Sequence, residues 1–167
     1  MSYTHIVHPI EPIIDDSTNI LILGSFPSVK SRIEEFYYAN KFNRFWEVLS
    51  IYLNVDLCSL NNKEKRKVLL EHHIGLYGVV YECDIDKSKD DTIKNVVYSD
   101  ILSLIKGKNI THFILNGKKA YDLFTNKYPT LIGISYYLPS TSSANAKYSV
   151  DDLSKIFTGF VGGKNEI

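Results

Sequence analysis

The sequence predicts an α/β protein: a three-layer α/β/α sandwich around a central, mostly parallel, four-stranded sheet. Three observations point there. Short, almost wholly apolar runs alternate with longer stretches of helical period, a pattern that favours right-handed crossovers and a sheet covered on both faces. The 167 residues, 44% hydrophobic and without linker or internal repeat, suit one compact domain over residues 1–167. The 19 Lys+Arg balance 19 Asp+Glu, which excludes both a highly charged disordered chain and a globally basic surface.

The elements follow in order. Residues 19–24 form the first apolar run and read as a strand buried on both faces. Residues 42–53 set Phe42, Phe45, Trp46, Leu49 and Leu53 at helical spacing, and 63–73 form a charged amphipathic helix. Residues 76–81 read as the second strand. Residues 99–105 read as a helix ended by Gly107, a residue suited to the left-handed conformation there. A strand at 111–115, a helix at 117–126, a strand at 132–138 and a helix at about 149–160 complete the pattern, with polar loops at 61–63 and 84–91. Parallel sheets bind ligands beyond the carboxyl ends of their strands, here after Leu23, Tyr81, Leu115 and Leu138.

The first of those ends is Gly24-Ser-Phe-Pro-Ser28. Gly24 admits close approach of a ligand, Pro27 fixes one dihedral, and Ser25 and Ser28 with nearby amides could hold an anion such as phosphate. An ordinary strand-to-loop turn is the alternative. The last end, Leu138 to Lys147, carries Ser140, Thr141, Ser142 and Ser143 after Pro139, suited to a backbone phosphate beside Lys147 or else to a plain surface loop. Between them, residues 36–46 interleave aromatics with Arg44, next to Arg32, as stacking on an unpaired base requires. Phe45 and Trp46 read as core, whereas Tyr37, Tyr38, Asn40 and Asn43 are less easily assigned to packing.

Other candidates carry less. His72 and His73 diverge by about 100° if helical, so no shared metal is expected. Cys83, Asp84 and Asp86 read as a solvated loop or helix start, and His112 as a hydrogen-bonded strand residue. Cys58 and Cys83 are too few for a disulfide framework or a four-ligand zinc site and read as free thiols in a reducing cytoplasm. No targeting segment or membrane span is expected, since the start lacks a basic-then-apolar pattern and 128–146 is rich in Ser, Thr and Gly.

Taken together the segments resemble the uracil-DNA glycosylase superfamily, most closely its hypoxanthine (deoxyinosine) branch. The resemblance rests on Gly24-Ser-Phe-Pro-Ser28, Tyr37-Tyr-Ala-Asn-Lys-Phe-Asn-Arg-Phe-Trp46, the segment Ile114-Leu-Asn-Gly-Lys-Lys-Ala120 and Leu138-Pro-Ser-Thr-Ser142, all in order, over about residues 4–157. Departures are Phe26 for the branch's Met, Ser28 for its Gly, and Asn40-Lys41 for its His-Pro. Phe26 stands where other branches carry a catalytic Asn or Asp.

The resemblance implies hydrolysis of the N-glycosidic bond of a deaminated base in DNA. Catalysis then falls on Asn43, whose carbonyl would position a water. Gly24, Ser25, Phe26, Tyr37 and Tyr38 would form the base pocket. Pro27, Ser28, Ser140, Thr141, Ser142 and Lys147 would meet DNA phosphates. No metal or organic cofactor is expected, and no membrane partner; a monomer in the cytoplasm, nucleoid-associated if bacterial, is. Two rival readings are a catalytically silent binding module of the same fold and an unrelated nucleotide-binding α/β protein.

Overall fold

Successive residues of a strand point to opposite faces, and the central sheet is built on that alternation. In the computed structural model, which describes residues 2–162, four parallel strands lie in the order β3 (Ile74–Gly78), β2 (Ile20–Gly24), β6 (His112–Asn116), β7 (Ser135–Leu138). Ile20, Ile22, Ile74, Leu76 and Ile114 pack on one face beneath α2 (Phe45–Leu53), α3 (Asn62–Glu71) and α6 (Val150–Val161). Leu21, Leu23, Phe113 and Leu115 pack on the other, beneath α4 (Ile101–Leu104) and α5 (Lys118–Lys127). The three-layer sandwich is the predicted one.

A second sheet was not foreseen. The strands β1 (Thr4–Val7), β4 (Val80–Ile85) and β5 (Lys94–Tyr98) pair antiparallel in the order β1-β4-β5. The apolar run 76–81 is therefore two strands, not one: β3 stops at Gly78, Val79 donates to the Gly24 carbonyl, and the chain then leaves for the second sheet. Hydrophobicity that resumes at once with Val79 and Val80 hides such a break, and a lone Gly78 is its only mark. Part of the polar stretch 84–91 belongs to β4, and only the remainder is loop.

Local hydrogen bonding explains the other shifts. Asn40 Oδ1 accepts from the Phe42 amide and Asn43 Oδ1 from the Phe45 amide, so two side-chain turns hold 40–44 out of the helix, and Phe42 lies 64% exposed. Phe45 and Trp46 are core as expected. Pro129 starts a 3-10 turn through Ile134, which delays β7 to Ser135. Ser28 caps a short unforeseen helix, α1 (Val29–Glu34). Gly107 adopts φ +77 past α4, as its type suggests. His112 sits in β6 with its ring nitrogens at Thr111 Oγ1 and the Phe160 carbonyl, and Cys58 and Cys83 are free thiols. Among the described residues no helix is long and apolar enough to cross a membrane.

Topology fixes where a site can form. The chain passes from β2 to β3 on one side and later reaches β6 on the other, so the carboxyl ends of β2 and β6 flank the switch point.

Candidate active site

A cavity of about 670 Å³ opens there, lined at the four strand ends by Gly24, Gly78, Asn116 and Ser140. The first-motif turn, the aromatic segment and the hydroxyl turn all reach it. Asn43 lines the same cavity as the first and last motif loops.

The hydrogen-bond directions around Asn43 are determined by the backbone. The Thr141 amide can only donate, and it donates to Asn116 Oδ1 at 3.1 Å. The Asn116 amide nitrogen therefore donates to Thr141 Oγ1 at 3.0 Å, and the Thr141 proton goes to Asn43 Oδ1 at 2.7 Å. Asn43 Oδ1 also accepts from the Phe45 amide at 2.9 Å. Both lone pairs of that oxygen are occupied. The carbonyl is thus not free to position a water as the sequence reading has it, and Asn43 offers the cavity its Nδ2–H groups instead.

The hydroxyls predicted to meet phosphates divide in two. Ser25 is 5% exposed and donates to Asp90 Oδ1 at 2.7 Å. Ser28 accepts from the Ser31 amide as the cap of α1 and donates to Ser31 Oγ. Thr141 is fully buried and committed to the two asparagines. These three are internal. Ser140 Oγ accepts from the Ser142 amide and Ser142 Oγ from the Ala144 amide, and among the described residues neither hydroxyl donates. Both keep a proton for an incoming anion. Pro27 lines the cavity, and its carbonyl accepts from Arg32. Lys147 is exposed, away from the cavity lining, with Nζ 5.6 Å from the Tyr148 ring.

The aromatic wall is also sorted by packing. Phe26 (8% exposed) and Tyr37 (5%) line the cavity, and the Tyr37 hydroxyl donates to the Glu11 carbonyl. Tyr38 stands at φ 53 and stacks on Phe45 with ring centroids 3.9 Å apart. A Cβ at Gly24 would stand 3.3 Å from the Tyr38 hydroxyl, so what Gly24 admits is this phenol. Desolvation pushes that phenol's pKa up to about 12, opposed by its hydrogen bond to Asn116, and it stays neutral.

Arg44 is the strut beneath the hydroxyl turn. Its amide and Nε donate to the Thr141 carbonyl, Nη2 to those of Ser142 and Asn145, each at 2.9 Å, and Nη1 to that of Tyr148. A planar fork of five donors suits this crowd of carbonyls.

Several cavity residues went unrecognised in the sequence, among them His8, Asp90 and Asn116. His8 is 7% exposed, and its Nδ1 accepts from the Ile10 amide, which puts the ring proton on Nε2. Burial lowers its pKa to about 4, so it is neutral. Asp90 enters from the loop between β4 and β5; the residue as a whole is exposed, and desolvation at its carboxyl, opposed by the Ser25 hydrogen bond, raises its pKa from the usual range. Asn116 ends β6, where the strand-end rule alone would have singled it out. Among the described residues no group of three or more His, Cys, Asp or Glu is arranged to hold a metal ion.

No family profile matches the chain. Two curated relatives do. A hypoxanthine DNA glycosylase of Methanosarcina acetivorans is 33% identical over 141 residues, covering 82% of this chain and 87% of that protein. A protein of the same name from Methanosarcina barkeri is 32% identical over 141 residues, covering 81% and 86%. The solution NMR structure of a candidate uracil DNA glycosylase from Methanosarcina acetivorans superposes with a TM-score of 0.78 at 29% identity, over 93% of this chain and 97% of that one. Fold, motif order and these relatives agree: the chain belongs to the hypoxanthine DNA glycosylase branch of the uracil-DNA glycosylase superfamily.

Proposed function

We propose that this protein hydrolyses the N-glycosidic bond of a deaminated base, hypoxanthine or uracil, in DNA and so initiates base-excision repair. The observation that carries the reading is the meeting of Asn43, the first-motif turn and the hydroxyl turn around one cavity at the switch point. The hypoxanthine glycosylase relatives supply the substrate class. A base inside the stack is out of reach, so the nucleotide swings out at a cost of a few kcal/mol, less for a mispaired base. Stacking on Phe26 and Tyr37, about 1–3 kcal/mol per base, offsets that cost, with Ser140 and Ser142 donating to flanking phosphates.

As the bond breaks, its electron pair leaves with the base and positive charge builds at C1′. Asn43 Nδ2–H donates to an acceptor on the departing base, a fixed dipole aimed where negative charge develops. Nearby DNA phosphates stabilise the sugar cation. Water adds to C1′ and its proton passes to bulk solvent. No step calls for a metal or an organic cofactor.

Abasic-site cleavage on inosine-, uracil- and xanthine-containing oligonucleotides, assayed side by side, tests the reading. Base release from at least one is expected, with Asn43→Ala slower by about tenfold or more, 1.4 kcal/mol, while DNA binding persists. Binding without release from any would leave the silent-module reading.

A further inference from the structure

The cavity holds two polar groups that this chemistry does not use. His8 Nε2–H and Asp90 Oδ2 have no hydrogen-bond partner among the described residues, although the opposite atom of each is fixed, His8 Nδ1 by the Ile10 amide and Asp90 Oδ1 by Ser25. His8 is held among the rings of Tyr77, Tyr37 and Phe26, at centroid distances of 4.9, 6.2 and 5.8 Å. Gly78 makes room for it: a Cβ there would stand 3.0 Å from His8 Nε2 and 3.5 Å from the Ser25 carbonyl. Both groups thus stand near Ser25, one a fixed donor and the other a fixed acceptor.

Deamination reverses a base's edge. Adenine and cytosine show a ring-nitrogen acceptor beside an amino donor, whereas hypoxanthine and uracil show a ring N–H donor beside a carbonyl acceptor. We propose that His8 and Asp90 form the specificity pair of this pocket, His8 Nε2–H donating to the base carbonyl and Asp90 Oδ2 accepting the adjacent ring N–H of the lactam. The inference rests on the proposed function and names which edge of the base is read. Against an amino base the pair meets donor with donor and acceptor with acceptor, so two groups lose water without gaining partners, the situation that gives hydrogen-bonding sites their largest discrimination. Guanine and thymine share the lactam, so their exclusion lies with the 2-amino and 5-methyl groups or with normal pairing. Ser25 acts as a positioning residue, since its proton fixes which carboxylate oxygen is left for the base.

Single-turnover base release from inosine-containing duplex tests this, with affinity for a duplex carrying a tetrahydrofuran abasic analogue measured alongside. His8→Phe and Asp90→Asn should each slow release by about tenfold or more, with analogue affinity kept within about twofold because no base occupies the pocket. His8→Gln, which restores an N–H, should recover part of the loss. On the substrate side, the unaltered protein should release N1-methylhypoxanthine at least about tenfold more slowly than hypoxanthine. Unchanged rates in both variants, normal release of the N1-methyl base, or a parallel loss of analogue affinity would overturn the assignment. If the unaltered protein releases no deaminated base at all, the proposed function itself fails and the pair falls with it.

Discussion

At Asn43, two protein donors on one amide oxygen turn a side chain that could accept into one that can only donate. Asn43→Asp separates the two roles. A carboxylate would repel the developing base anion, so release should fall as far as in Asn43→Ala, about tenfold or more; a rate near that of the unaltered protein would return Asn43 to holding water. Thr141→Val keeps the shape and removes the hydroxyl that joins the asparagines, costing Asn116 Nδ2 one of its acceptors and Asn43 Oδ1 one of its donors. We expect a loss of about 1–3 kcal/mol in urea unfolding together with slower release, while abasic-analogue affinity persists. Asn43 and the hydroxyl turn were legible because each lies in a local pattern of residues. His8 and Asp90 were not, because distant neighbours create their roles: the Ser25–Asp90 bond spans 65 residues, and nothing beside His8 in the chain announces the rings around it.

The turn after β7 owes its shape to a guanidinium as well as to its own serines. Arg44 reaches carbonyls of the hydroxyl turn about a hundred residues away (the separations run from 96 to 104). Lysine offers one point charge without the fork. Arg44→Lys is expected to lower unfolding stability by on the order of 2 kcal/mol and to expose 139–148 to protease, read by thermal melts and limited digestion. The four core strands and the larger helices were legible because hydrophobic period acts locally. The antiparallel sheet was not. Its strands β1 and β5 are four and five residues long, mostly exposed or half-buried, and carry little periodic signal. Side-chain amides at 40 and 43 shortened the aromatic helix in a way that periodicity does not register.

For the molecule as a whole, the buried imidazole sets an acid limit. His8 titrates near 6.5 when unfolded and near 4 when folded, so as pH falls the unfolded chain takes up the proton first. Its contribution is complete above about pH 6.5 and is lost towards pH 4, on the order of 3 kcal/mol across that window. His8→Gln should remove this part of the acid limb, which urea unfolding between pH 7 and pH 4.5 would show. The arginines flanking the crevice have a further consequence. Arg32 is tied to the Pro27 and Lys87 carbonyls, as Arg44 is to its own set. Both are occupied before any polyanion arrives, in a chain of net charge +0. Few counterions are then displaced on association, and the logarithmic salt slope should lie nearer about −2 than about −10. So loose a hold favours quick departure from the abasic product, and repeated cycles would run at the pace of glycosidic-bond scission.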